Sequence, residues 1–132
     1  MTEHRPLSGV TPYLNIDGAR KAIEFYQRAF DAVAHETKPV ENSDRLMHAQ
    51  IEINGGQILL CDFFPEHGFP TVPAQGFNLH LHVEDAQMWW DRAVAAGCSI
   101  VMPLKTEFWG DIYGQLKDPF GIVWAIGQSA KA

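Results

Sequence analysis

An internal repeat is the feature that most constrains how this chain folds. With a shift of 67 residues, residues 14–19 (LNIDGA) fall on residues 81–86 (LHVEDA), and the correspondence continues into the next segment. The apolar positions there coincide as well: Ala19, Ala22, Ile23, Tyr26 and Phe30 in the first copy, and Ala86, Trp89, Trp90, Ala93 and Gly97 in the second. The repeat predicts two like modules, and two like modules usually form a ligand site between them.

The composition predicts one globular domain over residues 1–132. The chain is 46% hydrophobic and 20% charged, which suits burial of roughly two-thirds of the unfolded chain's surface. A net charge of −6 without a cluster of Lys or Arg argues against nucleic acid or an anionic membrane as a partner. No apolar run approaches the ~20 residues of a membrane-spanning helix, and residues 1–9 lack an apolar signal core, so we expect a cytoplasmic protein. The isolated Cys61 and Cys98 predict neither a disulfide framework nor a zinc knuckle.

Each half of the chain predicts the element order β-α-β-β-β. The first module, about residues 10–63, has an amphipathic helix at residues 18–30, which Asp17 is expected to cap, and a hairpin turn at Asn54-Gly55-Gly56. Its strands are expected at residues 10–16, 33–38, 46–53 and 57–63. After a loop at residues 64–76, the second module repeats this order over about residues 77–127. Its helix is expected at residues 85–96, and its strands at 77–83, 99–102, 112–117 and 122–127.

Alternation along the strands predicts which side chains face a ligand. In residues 77–83 the apolar side chains share one face, so the polar ones share the other: Asn78, His80 and His82. In residues 46–53 the side chains expected under the helices are Met47, Ala49, Ile51 and Ile53. Those expected to point inward are His48, Gln50 and Glu52, together with Tyr13, Asn15 and Cys61 from neighbouring strands. The cleft is therefore expected to be polar.

Several motifs carry a resemblance to a known family. They are Thr11-Pro12-Tyr13-Leu14, Ala22-Ile23-Glu24-Phe25-Tyr26, Met47-His48-Ala49, Leu79-His80-Leu81, Phe108-Trp109-Gly110-Asp111 and Asp118-Pro119-Phe120-Gly121-Ile122-Val123-Trp124. With the repeat, they resemble the vicinal oxygen chelate superfamily of glyoxalases, extradiol dioxygenases and fosfomycin and bleomycin resistance proteins, and its PhnB-like branch in particular. The resemblance implies an α+β fold in which two tandem β-α-β-β-β modules form curved mixed sheets around a cleft. It also implies a homodimer.

The metal site of the metal-dependent superfamily members does not match this sequence. The resemblance puts the four ligand positions at Thr11, about Cys61, Asn78 and about Ala125, and none of these is a His or a carboxylate. We therefore expect no metal and no other cofactor. One alternative is a relocated metal site formed by His48, His80 and His82, because imidazole binds zinc, iron, nickel and copper.

Other residues carry both a functional and a structural interpretation. Cys61 is either a thiolate activated by a nearby His or a small buried hydrophobe, and the second is the commoner case. Phe108, Trp109 and Tyr113 either stack on a flat ligand or pack in the core or a dimer interface. The residues predicted to bind the ligand are Tyr13, Asn15, His48, Gln50, Cys61, Asn78, His80, His82, Phe108, Trp109 and Tyr113.

The leading functional prediction is a protein that binds a small organic molecule between its two modules without a metal, as in resistance by sequestration. The absence of an Arg or Lys cluster among the predicted site residues argues against a phosphonate ligand. The first alternative is a metal-dependent lyase, isomerase or dioxygenase with relocated His ligands. The second is a non-catalytic interaction subunit. The sequence does not decide whether the protein is an enzyme, and it identifies no catalytic residue.

Overall fold

The computed structural model describes residues 5–131, which fold as two compact units. The first comprises the described residues up to Gln27 together with Asp31–Val72, and the second comprises Arg28–Phe30 and the described residues from Pro73 onward. The boundary at residues 72 and 73 lies in the loop that the sequence predicts between the modules. No helix in residues 5–131 has the length and apolar character that crossing a bilayer requires.

The first module contains one helix and a four-stranded mixed sheet. Its elements are β1 (Tyr13–Asn15), α1 (Ala19–Phe30), β2 (Val33–Pro39), β3 (Leu46–Ile53) and β4 (Gly56–Cys61). The strand order is β1-β4-β3-β2, with β1 parallel to β4 and the other neighbours antiparallel. A short 3-10 helix, Pro65–His67, follows within the predicted loop.

The second module has the same architecture. Its elements are β5 (Leu79–His82), α2 (Ala86–Ala96), β6 (Ser99–Thr106), β7 (Ile112–Lys117) and β8 (Val123–Gln128). The strand order β5-β8-β7-β6 matches the first sheet position for position, again with the first pair parallel. The predicted α+β fold with two β-α-β-β-β modules is confirmed, although β1 and β5 are shorter than predicted and β6 is longer.

Equivalent hydrogen bonds continue the sequence repeat into three dimensions. The amide of Ile16 donates to the carbonyl of Cys61, and the amide of Val83 donates to the carbonyl of Gly127, both at 2.9 Å. At the start of each helix, a side chain at or just after the end of the last strand of the module accepts an amide. Asp62 Oδ1 accepts from Ala19 at 3.1 Å, and Gln128 Oε1 accepts from Ala86 at 2.8 Å.

The capping of α1 differs from the sequence prediction. Gly18, not Asp17, is the cap residue, and its φ of 98° suits glycine. Asp62 Oδ1 also accepts the amide of Gly18 at 2.9 Å, so a buried carboxylate far along the chain satisfies the first amides of the helix. The predicted Asp17 cap was wrong because this partner comes from tertiary structure, which a local capping pattern does not include.

The hairpin between β3 and β4 forms as predicted. Ile53 pairs with Gly56, which leaves Asn54 and Gly55 as a two-residue loop. Both have positive φ, 51° and 81°, which is the conformation that an Asn-Gly hairpin turn requires. The turn sets the register of the two strands that carry His48 and Cys61.

A register shift in β3 changes which side chains face outward. Lys38 pairs with His48 and Pro39 with Leu46, so Met47 has no partner on β2. One extra residue in a strand is a β-bulge, which rotates its side chain out of the regular alternation. Met47 is 52% exposed and Leu46 only 1%. The prediction that Met47 packs under the helix was therefore wrong.

Candidate functional site

The predicted ligand-binding residues divide between the two units, and within each unit some of them form a cluster. In the first module, Tyr13 and Asn15 are exposed on β1 on either side of the buried Leu14, as the alternation predicts. Tyr13 Oη lies 2.8 Å from His48 Nδ1, and the two rings are 5.7 Å apart. The first cluster therefore has a hydrogen-bonded phenol and imidazole at its centre.

Cys61 lies beside this pair at the end of β4. Its thiol donates to Asn15 Oδ1 across 3.3 Å. Burial raises the pKa of the Cys61 thiol, and the charge of Asp62 raises it further, while a hydrogen bond with Tyr13 lowers it. Because the net direction is upward, the thiol keeps its proton at neutral pH, and the alternative of an activated thiolate receives no support.

The Tyr13 hydroxyl also keeps its proton. Burial raises the pKa of Tyr13 to about 12, with smaller contributions from the charge of Cys61 and a hydrogen bond with it. Gln50, the remaining predicted residue of this module, is only 1% exposed. Its amide donates to Gln57 Oε1 and to the carbonyl of Arg5, so these protein groups take its donors.

A cavity of about 600 Å³ adjoins this cluster. Most of its wall is apolar or aromatic, and a few polar groups converge on it. The lining residues are Tyr13, Asn15, Val40, Arg45, Met47, Cys61, Asp62, Phe64, Glu66, His67 and Phe69. We call this space the module-1 cavity. Its volume and character are those of small-molecule sites in proteins.

The outer wall of the module-1 cavity is a short segment after β4. Phe64 and Phe69 pair through mutual backbone hydrogen bonds and bracket the 3-10 helix. Arg45 holds this segment with two hydrogen bonds to Glu66, at 3.1 and 2.6 Å, and its guanidinium lies 4.6 Å from the centre of the Phe64 ring. The hydrogen bond from Arg45 lowers the pKa of Glu66 to about 2, so the two charges are paired at neutral pH.

Sequence reasoning missed this wall. It treated residues 64–76 as a linker and assigned no role to Phe64, Phe69 or Arg45. Two aromatic residues on either side of Pro65-Glu66-His67-Gly68 were the available signal, because a Pro- and Gly-containing segment bends the chain back on itself. Met47 was missed because the bulge that exposes it is not visible in the pattern of a single strand.

The second module holds a cluster of two histidines and a tyrosine. His80 Nε2 lies 3.1 Å from His82 Nδ1, and His82 Nε2 lies 2.7 Å from Ser129 Oγ. The His80 ring stacks on Tyr113 with a centroid distance of 6.0 Å, and Gln115 donates to the Tyr113 hydroxyl at 3.0 Å. Burial lowers the pKa of His80, and the neighbouring His82 lowers it further. Burial and the neighbouring His82 therefore both favour the neutral form of the His80 ring.

The two clusters are equivalent in register. Tyr13 pairs with Leu59, which pairs with Gln50, and His48 lies two residues before Gln50. In the second module His80 pairs with Ala125, Ala125 pairs with Gln115, and Tyr113 lies two residues before Gln115. Each module therefore places one tyrosine and one histidine at the same two sites, with the residue types exchanged.

The other predicted residues of the second module are surface groups. Asn78 is exposed immediately before β5. Phe108 and Trp109 lie at the tip between β6 and β7, where they are 96% and 56% exposed. Their rings contact each other edge to face at a centroid distance of 4.8 Å. Neither residue packs in the core of this unit.

The residues at the superfamily's metal positions do not fit a metal ion. Ala125 is fully buried and has no donor atom, which leaves the Cys61 thiol as the one soft ligand among these four positions. Thr11 and Asn78 offer only neutral oxygen atoms, which are weak ligands for transition metals. Within residues 5–131, no group of three or more His, Cys, Asp or Glu side chains is placed to hold a metal. The alternative site at His48, His80 and His82 would take ligands from both units and stays a prediction.

Comparisons with known proteins agree with this fold. The model of the Glyoxalase/Bleomycin resistance protein/Dioxygenase superfamily matches residues 10–126. The uncharacterised protein Mb0911c of Mycobacterium bovis is 37% identical over 92% of this chain and 84% of its own length. Protein PA1353 of Pseudomonas aeruginosa has a TM-score of 0.76 at 24% identity, with 95% of this chain and 100% of that chain covered. A PhnB protein of Bacillus cereus has a TM-score of 0.71 at 24% identity, with 92% and 100% covered.

Proposed function

This chain belongs to the Glyoxalase/Bleomycin resistance protein/Dioxygenase superfamily, and on that premise we propose that it captures a small, largely apolar organic molecule in the module-1 cavity. The observation that carries the proposal is the cavity itself. Its volume of about 600 Å³ and its mainly apolar wall with a few polar groups support an organic ligand of modest size.

The electrostatics of the cavity favour an uncharged ligand. Arg45 is a basic group of its wall, and Glu66 pairs with it through two hydrogen bonds. The Asp62 carboxylate accepts three backbone amides, from Gly18, Ala19 and Leu46. A phosphonate dianion would need hydrogen-bond donors that are not already paired with a carboxylate, as Arg45 is with Glu66. We therefore propose neutral aromatic or alicyclic molecules rather than phosphonates.

The proposed activity is capture rather than conversion. The hydroxyl and the thiol of the cavity wall, on Tyr13 and Cys61, both have pKa values raised by burial, which favours their protonated forms at neutral pH. A protonated phenol and thiol suit hydrogen bonding better than nucleophilic attack. The expected result is that a bound molecule is recovered with unchanged mass after incubation with the protein. A changed mass that depends on Tyr13 or Cys61 would contradict capture.

A cavity-filling substitution tests the location of the site. Thermal-shift screening and ligand-detected NMR with a library of neutral aromatic fragments identify binders to the wild-type protein. Met47→Trp places an indole in the cavity, so we expect it to abolish their binding. Met88→Trp is the matched control, because Met88 is 48% exposed on α2 of the other module, close to the 52% of Met47. Binding that survives Met47→Trp would move the site elsewhere.

The family resemblance also leads us to propose that the protein acts as a cytoplasmic homodimer. Sedimentation equilibrium at micromolar concentration measures the mass directly. A mass twice that of the chain supports the homodimer, and a monomer at all concentrations contradicts it.

A further inference from the structure

The hydrogen bond between Tyr13 and His48 restricts which molecules the module-1 cavity can accept. A phenol has one proton to donate and lone pairs that accept, and a neutral imidazole has one N–H and one acceptor nitrogen. Which group donates across the 2.8 Å contact therefore decides what Tyr13 offers to a ligand. The surroundings of His48 answer this question.

The carboxylate of Glu36 lies on the far side of the His48 ring. Glu36 Oε1 is 3.7 Å from His48 Nε2 and 3.6 Å from Lys38 Nζ. At 3.7 Å the first contact is electrostatic and too long for a hydrogen bond. The negative charge nevertheless favours a proton over a lone pair on the nitrogen that faces it. The neutral ring then carries its hydrogen on Nε2, and Nδ1 is the acceptor.

This tautomer assigns the direction of the Tyr13 hydrogen bond. The hydroxyl donates to His48 Nδ1, and burial keeps that hydroxyl protonated, because it raises the pKa of Tyr13 to about 12. The Cys61 thiol also lies within hydrogen-bonding reach of Tyr13, but its sulfur is a weaker acceptor than an imidazole nitrogen, and its own proton goes to Asn15 Oδ1. Tyr13 is half-exposed and lines the cavity, so a ligand there meets the accepting side of its oxygen.

We propose that the molecule held in the module-1 cavity carries an N–H or O–H group and donates it to Tyr13 Oη, while its apolar part contacts Met47, Phe64 and Phe69. This inference rests on the proposed capture function and adds a rule of selection to it. An acceptor atom at the same place would face the lone pairs of Tyr13 without a proton between them. Leaving such polar groups unpaired costs more than a matched hydrogen bond contributes.

Two probes of nearly equal shape test the rule. Indole presents an N–H where benzofuran presents an oxygen, and both are flat, neutral and apolar. Dissociation constants are measured by NMR titration at about pH 8.5, where free imidazole is neutral. For the wild-type protein we expect indole to bind about fivefold more tightly than benzofuran, which is the effect of one hydrogen bond.

Variants assign the preference to the pair. Tyr13→Phe removes the acceptor and keeps the ring, so both probes should bind with equal affinity. His48→Phe removes the acceptor of the Tyr13 proton and frees the hydroxyl to donate, so benzofuran should gain affinity relative to indole. Tyr113→Phe makes the same change at the tyrosine of the equivalent pair in the second module and should keep the wild-type preference. Circular dichroism and thermal unfolding verify that each variant is folded.

The outcomes separate this inference from the capture function. Equal binding of the two probes to the wild-type protein overturns the donor rule and leaves capture intact. A preference for indole that persists in Tyr13→Phe also overturns the rule, because another group then receives the N–H. If neither probe nor any library fragment binds, and Met47→Trp changes nothing, the capture function itself fails.

Discussion

At the scale of single residues, Asp62 joins parts of the first module that are distant in sequence. One carboxylate oxygen accepts the amides of Gly18 and Ala19, and the other accepts the amide of Leu46 at 2.7 Å. The side chain is buried, so water cannot replace these bonds when they are lost. The same residue thus caps α1, fixes the start of β3 and forms part of the cavity wall.

Replacing Asp62 therefore has a larger effect than its size suggests. We expect Asp62→Ala to lower the free energy of unfolding by about 3 kcal/mol, because three buried amides lose a charged acceptor. Urea unfolding monitored by circular dichroism measures the change. Asp17→Ala is the control, with an expected loss below about 0.5 kcal/mol, because Asp17 is exposed and does not cap the helix. An equally large loss of unfolding free energy in Asp17→Ala would indicate that Asp17 also caps α1.

The state of Cys61 predicts a pH dependence of its chemistry. Alkylation by iodoacetamide requires the thiolate, and burial raises the pKa of this thiol above its ordinary value of 9.0. At about pH 7.5 we expect alkylation to be slower than for free cysteine, and we expect its rise with pH to level off at a higher pH than that of free cysteine. Mass spectrometry follows the reaction, and Cys61→Ser identifies the residue that reacts. A rise that levels off at a lower pH than for free cysteine would indicate an activated thiolate.

At the scale of elements, two glycines in the second sheet are approached equally closely, but by different kinds of neighbour. A Cβ at Gly114 would lie 2.7 Å from Trp90 Cζ3 and 2.8 Å from the Leu104 Cα. A Cβ at Gly127 would lie 2.7 Å from His80 Cε1. The ring of Trp90 is buried against β7 and the backbone of Leu104 cannot rotate away, whereas His80 is an exposed side chain.

The two glycine positions should therefore respond differently to alanine. We expect Gly114→Ala to lower the free energy of unfolding by about 2–3 kcal/mol, as overpacking in a core does. Gly127→Ala should cost below about 1 kcal/mol, because His80 can turn away. In that variant the NMR signals of the His80 and His82 rings should shift. A large loss at Gly127 with no change in these signals would mean that the ring is held in place.

At the scale of the whole molecule, the duplication makes a specific exchange possible. The first module carries Tyr13 and His48 where the second carries His80 and Tyr113. We expect the double substitution Tyr13→His with His48→Tyr to lower the free energy of unfolding by about 1 kcal/mol less than the two single substitutions do together. The reason is that it rebuilds a tyrosine–histidine pair that the other module already contains. Urea unfolding of the four proteins gives this coupling energy. A coupling energy of zero would show that the exchanged tyrosine and histidine do not stabilise the first module as a pair.

The sequence predicted the duplicated architecture well, because the repeat, the apolar stripes and the Asn54-Gly55 turn are local patterns. It also placed Tyr13, His80 and His82 on the strand faces opposite the buried Leu14 and Leu81, as the structure has them. Ligand binding by these faces and by His48 stays a prediction. The cap of α1 and the exposed position of Met47 were not predictable, because both depend on pairings between distant segments. The Phe64–Phe69 wall was missed because its role comes from the Arg45–Glu66 contact.

The bulge at Met47 allows the wall of the module-1 cavity to change while the fold stays the same. A strand that holds one surplus residue can lose it without losing a rung of its ladder, since Met47 has no partner on β2. Deleting that residue would remove the Met47 side chain from the cavity wall and restore the regular alternation of side chains along β3. The sheet, the helix and the hairpin turn would stay as they are. Single-residue insertions and deletions at this point of β3 are thus an economical route by which a duplicated scaffold could change its ligand during evolution or in engineering.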